Sequence, residues 1–490
     1  MSSSSNGLER AYFGGNYRHE CAFKEHMLKL TPSCLAVILL LQGPALPARA
    51  ASPAVENTTA TAARIDALVA PLYKAADPGA TILVIKDGKT LLRKSYGMAD
   101  IDTGTPMRPD MGMRIGSITK QFTATAILIL ADEGKLSLSD PVTRYFPDYP
   151  AQGKNITVEH LLTHTSGLVN YSSKLGFALG RRRDRSMEQM LGTFKDDPLE
   201  FAPGTRYAYN NSGYYLLGAI IEKVSGQPYA KFIEQRIFTP LGMMQTGYEG
   251  FESRPAVRAA GHTPNMFGGF GSAWALSMSQ AYAAGAIVST VDDMAKWDAA
   301  VSSAKLLKPA TWAQAMTPYK LANGKPTTYG YAWQTGTVRG ASEMGHGGDI
   351  NGFSAYSLRL PDQKVYVVVM TNTDAGLARP VMVARKAAAI AIGKPYPEYK
   401  AVAVAADALD AYKGDYKLND TVNRTILRDG DHLQVERPGR PNVQIHPLGG
   451  DRFFSRDTVT EYRFRRNAAG AIEQFIMDDD GVEQVHVRMK

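Results

Sequence analysis

Cysteine is almost missing from this sequence. Cys21 and Cys34 are the two in 490 residues, and both lie near the start. No disulfide framework and no thiol chemistry can be built downstream of them. Dense blocks of one charge are missing too. The formal charge is +8, mild for this length, and the densest basic run is Arg181-Arg182-Arg183. That run reads as a solvated loop rather than a phosphate site, which argues against a nucleic-acid partner. A metal-binding His-Glu-x-x-His is missing as well. His160 and His164 have the i, i+4 spacing of a metal pair. They lack the intervening Glu and an apparent third ligand, so they read as structural histidines. No metal and no other cofactor is expected.

What is present describes a globular protein. Hydrophobic residues make up 44% and charged residues 21%, enough for a real core. The length exceeds one ordinary domain. Near the start, Lys24 and Lys29 precede the apolar run Leu35-Ala36-Val37-Ile38-Leu39-Leu40-Leu41. The run is too short to span a bilayer. Pro44 and Pro47 follow, and Ala48-Arg49-Ala50 offers a cleavage site. Residues 1–50 therefore read as an export signal. The polar leader before Met27 is unusual for such a signal and points to a start at Met27. The expected location is periplasmic or secreted, with no stable membrane span once the signal is removed.

Residues 51–395 carry a mixed pattern. Ala62 to Ala76 has helical spacing and stops at Pro78-Gly79. Ile82-Leu83-Val84-Ile85, then Asp87-Gly88, then Thr90-Leu91-Leu92 reads as a β-hairpin. Ser117 to Glu133 reads as a long buried helix, Thr157 to Thr165 as a shorter one, and Tyr214 to Val224 as another. Thr290 with Asp293 three residues on is a capping-box arrangement opening a helix to Val301. Ser354 to Leu360 and Val365 to Met370 read as adjacent strands. Hairpin first and strands last predicts one sheet built from both ends of this region, with helices inserted between: an α/β fold. Residues 396–408 look like a linker, within a Pro-, Ala- and Gly-rich stretch running from Gly393 to Ala406. Residues 409–490 then show short strands and turns, which predicts a small all-β barrel or sandwich. No internal repeat is seen.

Ser-x-x-Lys is a weak signal alone, and it occurs twice. Ser302-Ser303-Ala304-Lys305 sits at the back end of a helix. Ser117-Ile118-Thr119-Lys120 follows Gly116 and opens an apolar helix. There the exposed N–H groups and the helix dipole favour negative charge. Residues i and i+3 share a helix face, so Lys120 can reach the Ser117 hydroxyl. Burial would lower the lysine pKa and make it a base. A capping Ser beside a surface Lys fits the same four residues equally well. Two further elements add to the first reading. Tyr209-Asn210-Asn211 is the one Tyr-x-Asn in the chain. A Tyr beside a Lys/Ser pair can relay a proton, and an Asn carboxamide can hold a substrate amide. Gly345-His346-Gly347-Gly348 precedes a strand, where glycines expose N–H groups for an oxyanion.

At these motifs the sequence resembles the serine β-lactamase and penicillin-binding-protein superfamily, whose motif logic is Ser-x-x-Lys, a polar loop and Lys-Thr-Gly. It is most similar to the branch near class C β-lactamases, over roughly Ala76 to Ile392. The stretches Ile156 to Leu168 and Tyr329-Gly330-Tyr331-Ala332-Trp333 agree with it. The resemblance implies the β-lactamase/transpeptidase-like fold, an antiparallel sheet flanked by helices plus a helical subdomain. It implies Ser117 as nucleophile, Lys120 and Tyr209 as the base system, and Asn211 as a substrate-amide contact. It also implies an oxyanion hole from the backbone N–H groups of Ser117 and Asp349, beside Gly348. His346 departs from the pattern, because β-lactamases of this branch place Lys there. Histidine at this position is similar to D-amino-acid-specific peptidases and some esterases. The last region resembles a lipocalin-like barrel, opening at Asp410-Ala411-Tyr412-Lys413-Gly414-Asp415-Tyr416.

The expected activity is an acyl-enzyme hydrolase cleaving small peptides or amides, with a small-molecule or peptide as its partner and His346 acting on catalysis. A β-lactamase, a carboxylesterase and a non-catalytic β-lactam sensor are the competing expectations. The oligomeric state is not legible.

Overall fold

The computed structural model describes residues 58–251, 255–266, 268–375, 379–419, 422–438 and 440–489. The export signal expected in residues 1–50, with Cys21, Cys34 and Ala48-Arg49-Ala50, lies outside the described residues. Among the described residues no helix is long and apolar enough to cross a membrane.

A six-stranded antiparallel sheet organises the larger part. Its strands are β1 (Ala80–Lys86), β2 (Lys89–Tyr96), β3 (Gln334–Val338), β4 (Ala341–Ile350), β5 (Phe353–Leu360) and β6 (Val365–Thr371), in the order β3-β4-β5-β6-β1-β2. The expected hairpin is β1–β2, and β1 closes the sheet against β6 with Val84 opposite Val367. Both ends of the region thus meet in one sheet. The central strand β6 is buried along its whole length, as a strand covered on both faces must be. Its side chains alternate between two cores. Val367 and Val369 pack with Ile65, Val69 and Ala388, whereas Val368 and Met370 pack with Phe122, Leu128 and Tyr214.

Seven helices serve the argument: α1 (Thr58–Val69), α2 (Thr119–Asp132), α3 (Val158–Leu162), α4 (Asn211–Ser225), α5 (Met278–Gly285), α6 (Val291–Ser302) and α7 (Pro380–Ala391). Helix α2 is buried from Thr119 to Leu130. Each apolar side chain so buried contributes about 1.5–3 kcal/mol. Thr290 caps α6 by accepting from Asp293 N at 3.3 Å.

The helix expected from Ala62 to Ala76 spans Thr58–Val69 and passes into a 3-10 turn over Ala70–Leu72. Three further boundaries differ from expectation. The helix begun at Ser117 starts as a 3-10 turn over Gly116–Ile118 and becomes α-helical at Thr119. The helix expected to run to Thr165 ends at Leu162, because His164 takes a left-handed φ of 58°. The helix expected from Tyr214 begins three residues earlier, because Asn210 Oδ1 caps it by accepting from Gly213 N at 3.0 Å.

The last part is a closed eight-stranded barrel, β7 (Gly414–Asn419), β8 (Val422–Asp429), β9 (His432–Arg437), β10 (Arg440–Gly449), β11 (Arg452–Phe454), β12 (Glu461–Arg466), β13 (Ile472–Asp479) and β14 (Val482–Arg488). Tyr416, Leu433, Phe453, Phe464 and Phe475 pack together in its interior. A barrel of this size has an interior that side chains can fill. It touches the larger part where Asp480 Oδ2 accepts from Arg339 N at 2.6 Å, in the turn joining β3 to β4.

Candidate active site

Helix α2 and strand β4 meet at the start of the helix. The contact is backbone to backbone. A methyl group placed on Gly348 would fall 1.9 Å from the Ile115 carbonyl oxygen and 3.0 Å from Ser117 N. Gly116, at φ 49°, faces Asp349 N in the same way, at 3.0 Å from the position a methyl would take. Glycine at 116 and 348 is therefore what lets the Gly116–Ile118 turn lie against β4. Strand β3 pairs with β4 only from Ala341 to Gly345. From His346 to Ile350 this edge of β4 has no strand beside it among the described residues and turns to Ser117. Two backbone N–H groups, of Ser117 and Asp349, flank this contact, an arrangement suited to a developing oxyanion.

Ser117 is partly exposed, while Lys120 is fully buried. Lys120 Nζ lies 3.0 Å from Ser117 Oγ and donates to the Ala284 carbonyl at 2.8 Å. It sits over the rings of Tyr209 and Tyr214, 4.9 and 5.4 Å from their centroids. No carboxylate contacts it among the described residues. Burial therefore pulls the ammonium well below the ordinary lysine value. An amine held neutral beside a hydroxyl can take its proton.

Sequence reasoning passed over the source of the Ala284 carbonyl. Tyr282 breaks α5 with φ 42° and ψ −134°, a strained conformation for a tyrosine. Its hydroxyl is held by Glu222 Oε1 at 2.7 Å. Beyond the break, the carbonyls of Ala283 and Ala284 turn to α2, where Thr123 and Lys120 donate to them. Nothing in the letters around Tyr282 signals this.

Tyr209 precedes the cap of α4. Its hydroxyl is buried and makes no hydrogen bond of ordinary geometry. Burial pushes the phenol far up, with a smaller opposing effect of the Ser117 hydroxyl. Asn211 opens α4. Its Nδ2 donates to Ser172 Oγ at 2.9 Å and its backbone N–H to Asn170 Oδ1 at 3.2 Å. That leaves Asn211 Oδ1 to accept from a ligand. The Asp349 side chain is exposed and accepts from Ser354 Oγ, so it is the backbone of Asp349 that faces Ser117.

His346 is 1% exposed. Nδ1 lies 2.6 Å from the Gly347 carbonyl, which can only accept, so Nδ1 carries the proton. Nε2 then accepts from the Tyr329 hydroxyl at 2.7 Å. Burial, aided by the nearby Lys120 charge, brings the imidazole down to about 3. Both nitrogens are occupied by the protein. The Gly347 carbonyl fixes the tautomer, and the Tyr329 hydroxyl matches it by donating to Nε2.

His160 and His164 do not form a metal pair. His160 Nδ1 accepts from Thr157 N at 3.2 Å, completing the capping box of α3. His164 Nδ1 accepts from Asn210 N at 3.1 Å, and its ring packs 4.2 Å from that of Tyr209. Among the described residues no group of three His, Cys, Asp or Glu is placed to hold a metal ion. The second Ser-x-x-Lys lies elsewhere. Ser302 Oγ accepts from Arg359 at 2.6 Å, and Lys305 is exposed.

This geometry accompanies a clear family match. The Beta-lactamase family profile matches residues 63–392. The chain belongs to the β-lactamase family. It is a serine hydrolase by that membership. It is 27% identical to penicillin-binding protein 4* of Bacillus subtilis over 433 residues, which is 84% of this chain and 95% of that one. Among solved structures it is similar to the octameric penicillin-binding protein homologue from Pyrococcus abyssi. That pair shares 26% identity and a TM-score of 0.62, over 88% of this chain and 99% of the other. A D-stereospecific amidohydrolase from Streptomyces is 27% identical, with a TM-score of 0.56 over 64% of this chain and 94% of its own.

Proposed function

We propose that this β-lactamase-family hydrolase cleaves small amides or peptides through an acyl-enzyme on Ser117. The observation that carries this is Lys120, buried without a carboxylate partner and 3.0 Å from Ser117 Oγ. Ser117 Oγ attacks the amide carbon while its proton passes to the neutral Lys120 amine. The carbonyl oxygen becomes negative between the N–H groups of Ser117 and Asp349. As the C–N bond breaks, the departing amine takes a proton from the Tyr209 phenol, which Lys120 replenishes. Water then repeats the sequence on the ester and frees the acid. Tyr209 suits the acid role because burial keeps its phenol protonated, and Lys120 suits the base role because burial keeps its amine neutral.

Asn211 Oδ1 would accept the N–H of the substrate's acyl side. Likeness to a D-stereospecific amidohydrolase supports substrates containing D-residues. His346 supports the same class, since a neutral imidazole offers no cation for a β-lactam carboxylate. It acts as a positioning residue that holds Tyr329 and the β4 edge. The export signal expected in residues 1–50 would direct the chain to a periplasmic or secreted site of action, and the mature chain should begin near Ala51. N-terminal sequencing that finds residues before Leu35 would contradict that. The activity itself is tested with a fluorophosphonate label and then a panel of D- and L-peptide amides, esters and nitrocefin. Labelling of the chain with turnover of amides is the expected result. An unlabelled chain, or one that turns over nitrocefin best, would overturn the mechanism or the substrate class respectively.

A further inference from the structure

A cavity of about 930 Å3 lies where the barrel meets the larger part, and Ser117, Lys120, Tyr209 and His346 take no part in it. Its walls come from α1, α7, the turn at Arg339-Gly340, the segment 395–399 and the barrel. Its size is that of a site for a drug-sized molecule. Leu68, Ile390, Tyr399 and Phe454 supply apolar surface.

Four cations, Arg64, Arg339, Lys386 and Arg456, and four carboxylates, Glu398, Glu461, Asp478 and Asp480, line it. Three of its four carboxylates are already engaged. Glu461 accepts from the Tyr399 hydroxyl and from Arg452 at 3.0 Å, Asp478 accepts from Gly481 N at 2.7 Å, and Asp480 accepts from Arg339 N at 2.6 Å. The cations are not engaged in this way. The Arg339 guanidinium lies over the Tyr396 ring at 5.3 Å. Arg64, Lys386 and Arg456 make no hydrogen bond or ion pair with any described residue. Glu398 and Asp457 act on Lys386 through space alone, and burial outweighs them, lowering its ammonium. The Tyr396 hydroxyl is buried here with the Asp480 carboxylate beside it, outside ordinary hydrogen-bond geometry. A half-buried lysine beside an apolar wall has no hydrogen-bonded acceptor among the described residues.

We propose that this seam binds an organic anion with an apolar body. The acidic head lies against Lys386, Arg64 and Arg456. The body lies against Ile390 and Phe454.

Calorimetric titration of the full chain with octanoate and with 2-naphthoate tests this. Octanol and 2-naphthylmethanol are the uncharged controls, and inorganic phosphate tests the head alone. At least one carboxylate should bind saturably at one site, with its alcohol weaker by at least about tenfold. Lys386→Glu should weaken that carboxylate by about tenfold or more, with Lys386→Gln in between, and Ser117→Ala should leave it unchanged. Where thermal melting shows that Lys386→Glu is not folded, Arg64→Glu on the exposed face of α1 carries the same expectation. No saturable binding of either carboxylate would overturn the proposal. So would equal binding of the alcohol, wild-type affinity in the folded charge-reversed variants, or loss of binding in Ser117→Ala, which would place the ligand in the catalytic cleft.

Discussion

Gly348 touches Ile115 so closely that a methyl group on its Cα would fall 1.9 Å from the Ile115 carbonyl oxygen. That single contact seats the turn carrying Ser117 on the free edge of β4. It also sets the distance between the N–H groups of Ser117 and Asp349. Gly348→Ala must push the two backbones apart. We expect the rate of fluorophosphonate labelling to fall by about 10²–10³, the usual cost of a lost oxyanion donor. The rest of the sheet should survive, so circular dichroism should remain that of the wild type. Labelling at the wild-type rate in Gly348→Ala would show that this contact does not shape the reactive centre.

Two Ser-x-x-Lys sequences allow an internal control. Ser117→Ala should abolish labelling, and Ser302→Ala should leave it intact at a small cost from the lost Arg359 hydrogen bond. Lys120→Arg should slow labelling by about 10²–10⁴, the usual worth of a general base. A guanidinium stays charged where the buried amine does not. In the unmodified enzyme burial lowers the Lys120 ammonium well below the ordinary lysine value. The labelling rate should therefore hold near neutral pH and fall in acid. Rates that climb steadily to pH 10 would mean that Lys120 titrates as an exposed lysine.

Asn210 joins two functions in one side chain. Its Oδ1 caps α4, and its backbone N–H holds His164 behind Tyr209. Asn210→Ala should cost about 1 kcal/mol of stability, and Asn210→Asp should restore most of it. If the cap only stabilises, labelling rates will follow stability in both variants. If it also positions Tyr209, amide turnover will fall further than ester turnover, because an amine leaving group needs the phenol's proton.

The sheet and the reactive turn were legible because they are written in local patterns. The Val-rich run from Val365 to Met370 marks a strand, and Gly116-Ser117 before an apolar run marks a helix start. The partners that complete the site were not legible. Ala284 reaches Lys120 through a strained Tyr282, and Tyr329 reaches His346 across 17 positions. Neither relation has a period or a spacing in the chain. Helix ends failed for a related reason. His164 leaves the helix because tertiary packing among Tyr209, Tyr214 and Tyr329 holds its ring, which overrides the propensity of the residues around it.

His346 gives the sharpest test, because its charge and its hydrogen bonds point the same way. Its folded value of about 3 lies below the ordinary 6.5. Between those values the unfolded chain binds a proton that the folded chain does not, so stability must rise with pH across that window. The contribution is intact above about 6.5 and is lost as pH falls toward about 3. His346→Gln removes the titrating group, and its amide can still donate to Gly347 O or accept from Tyr329. The slope of unfolding free energy against pH in this window should become shallower in His346→Gln, measured by denaturant titration. The same variant should keep most amide turnover if His346 only positions Tyr329 and β4. His346→Ala leaves the Tyr329 hydroxyl buried without a partner, and it should depress every activity. His346→Lys places a cation beside Lys120, and it should move the ratio of nitrocefin to peptide-amide turnover toward the β-lactam. A ratio unchanged by His346→Lys would mean that this position does not face the substrate's acidic group, and the substrate class would then rest on the Asn211 side of the cleft.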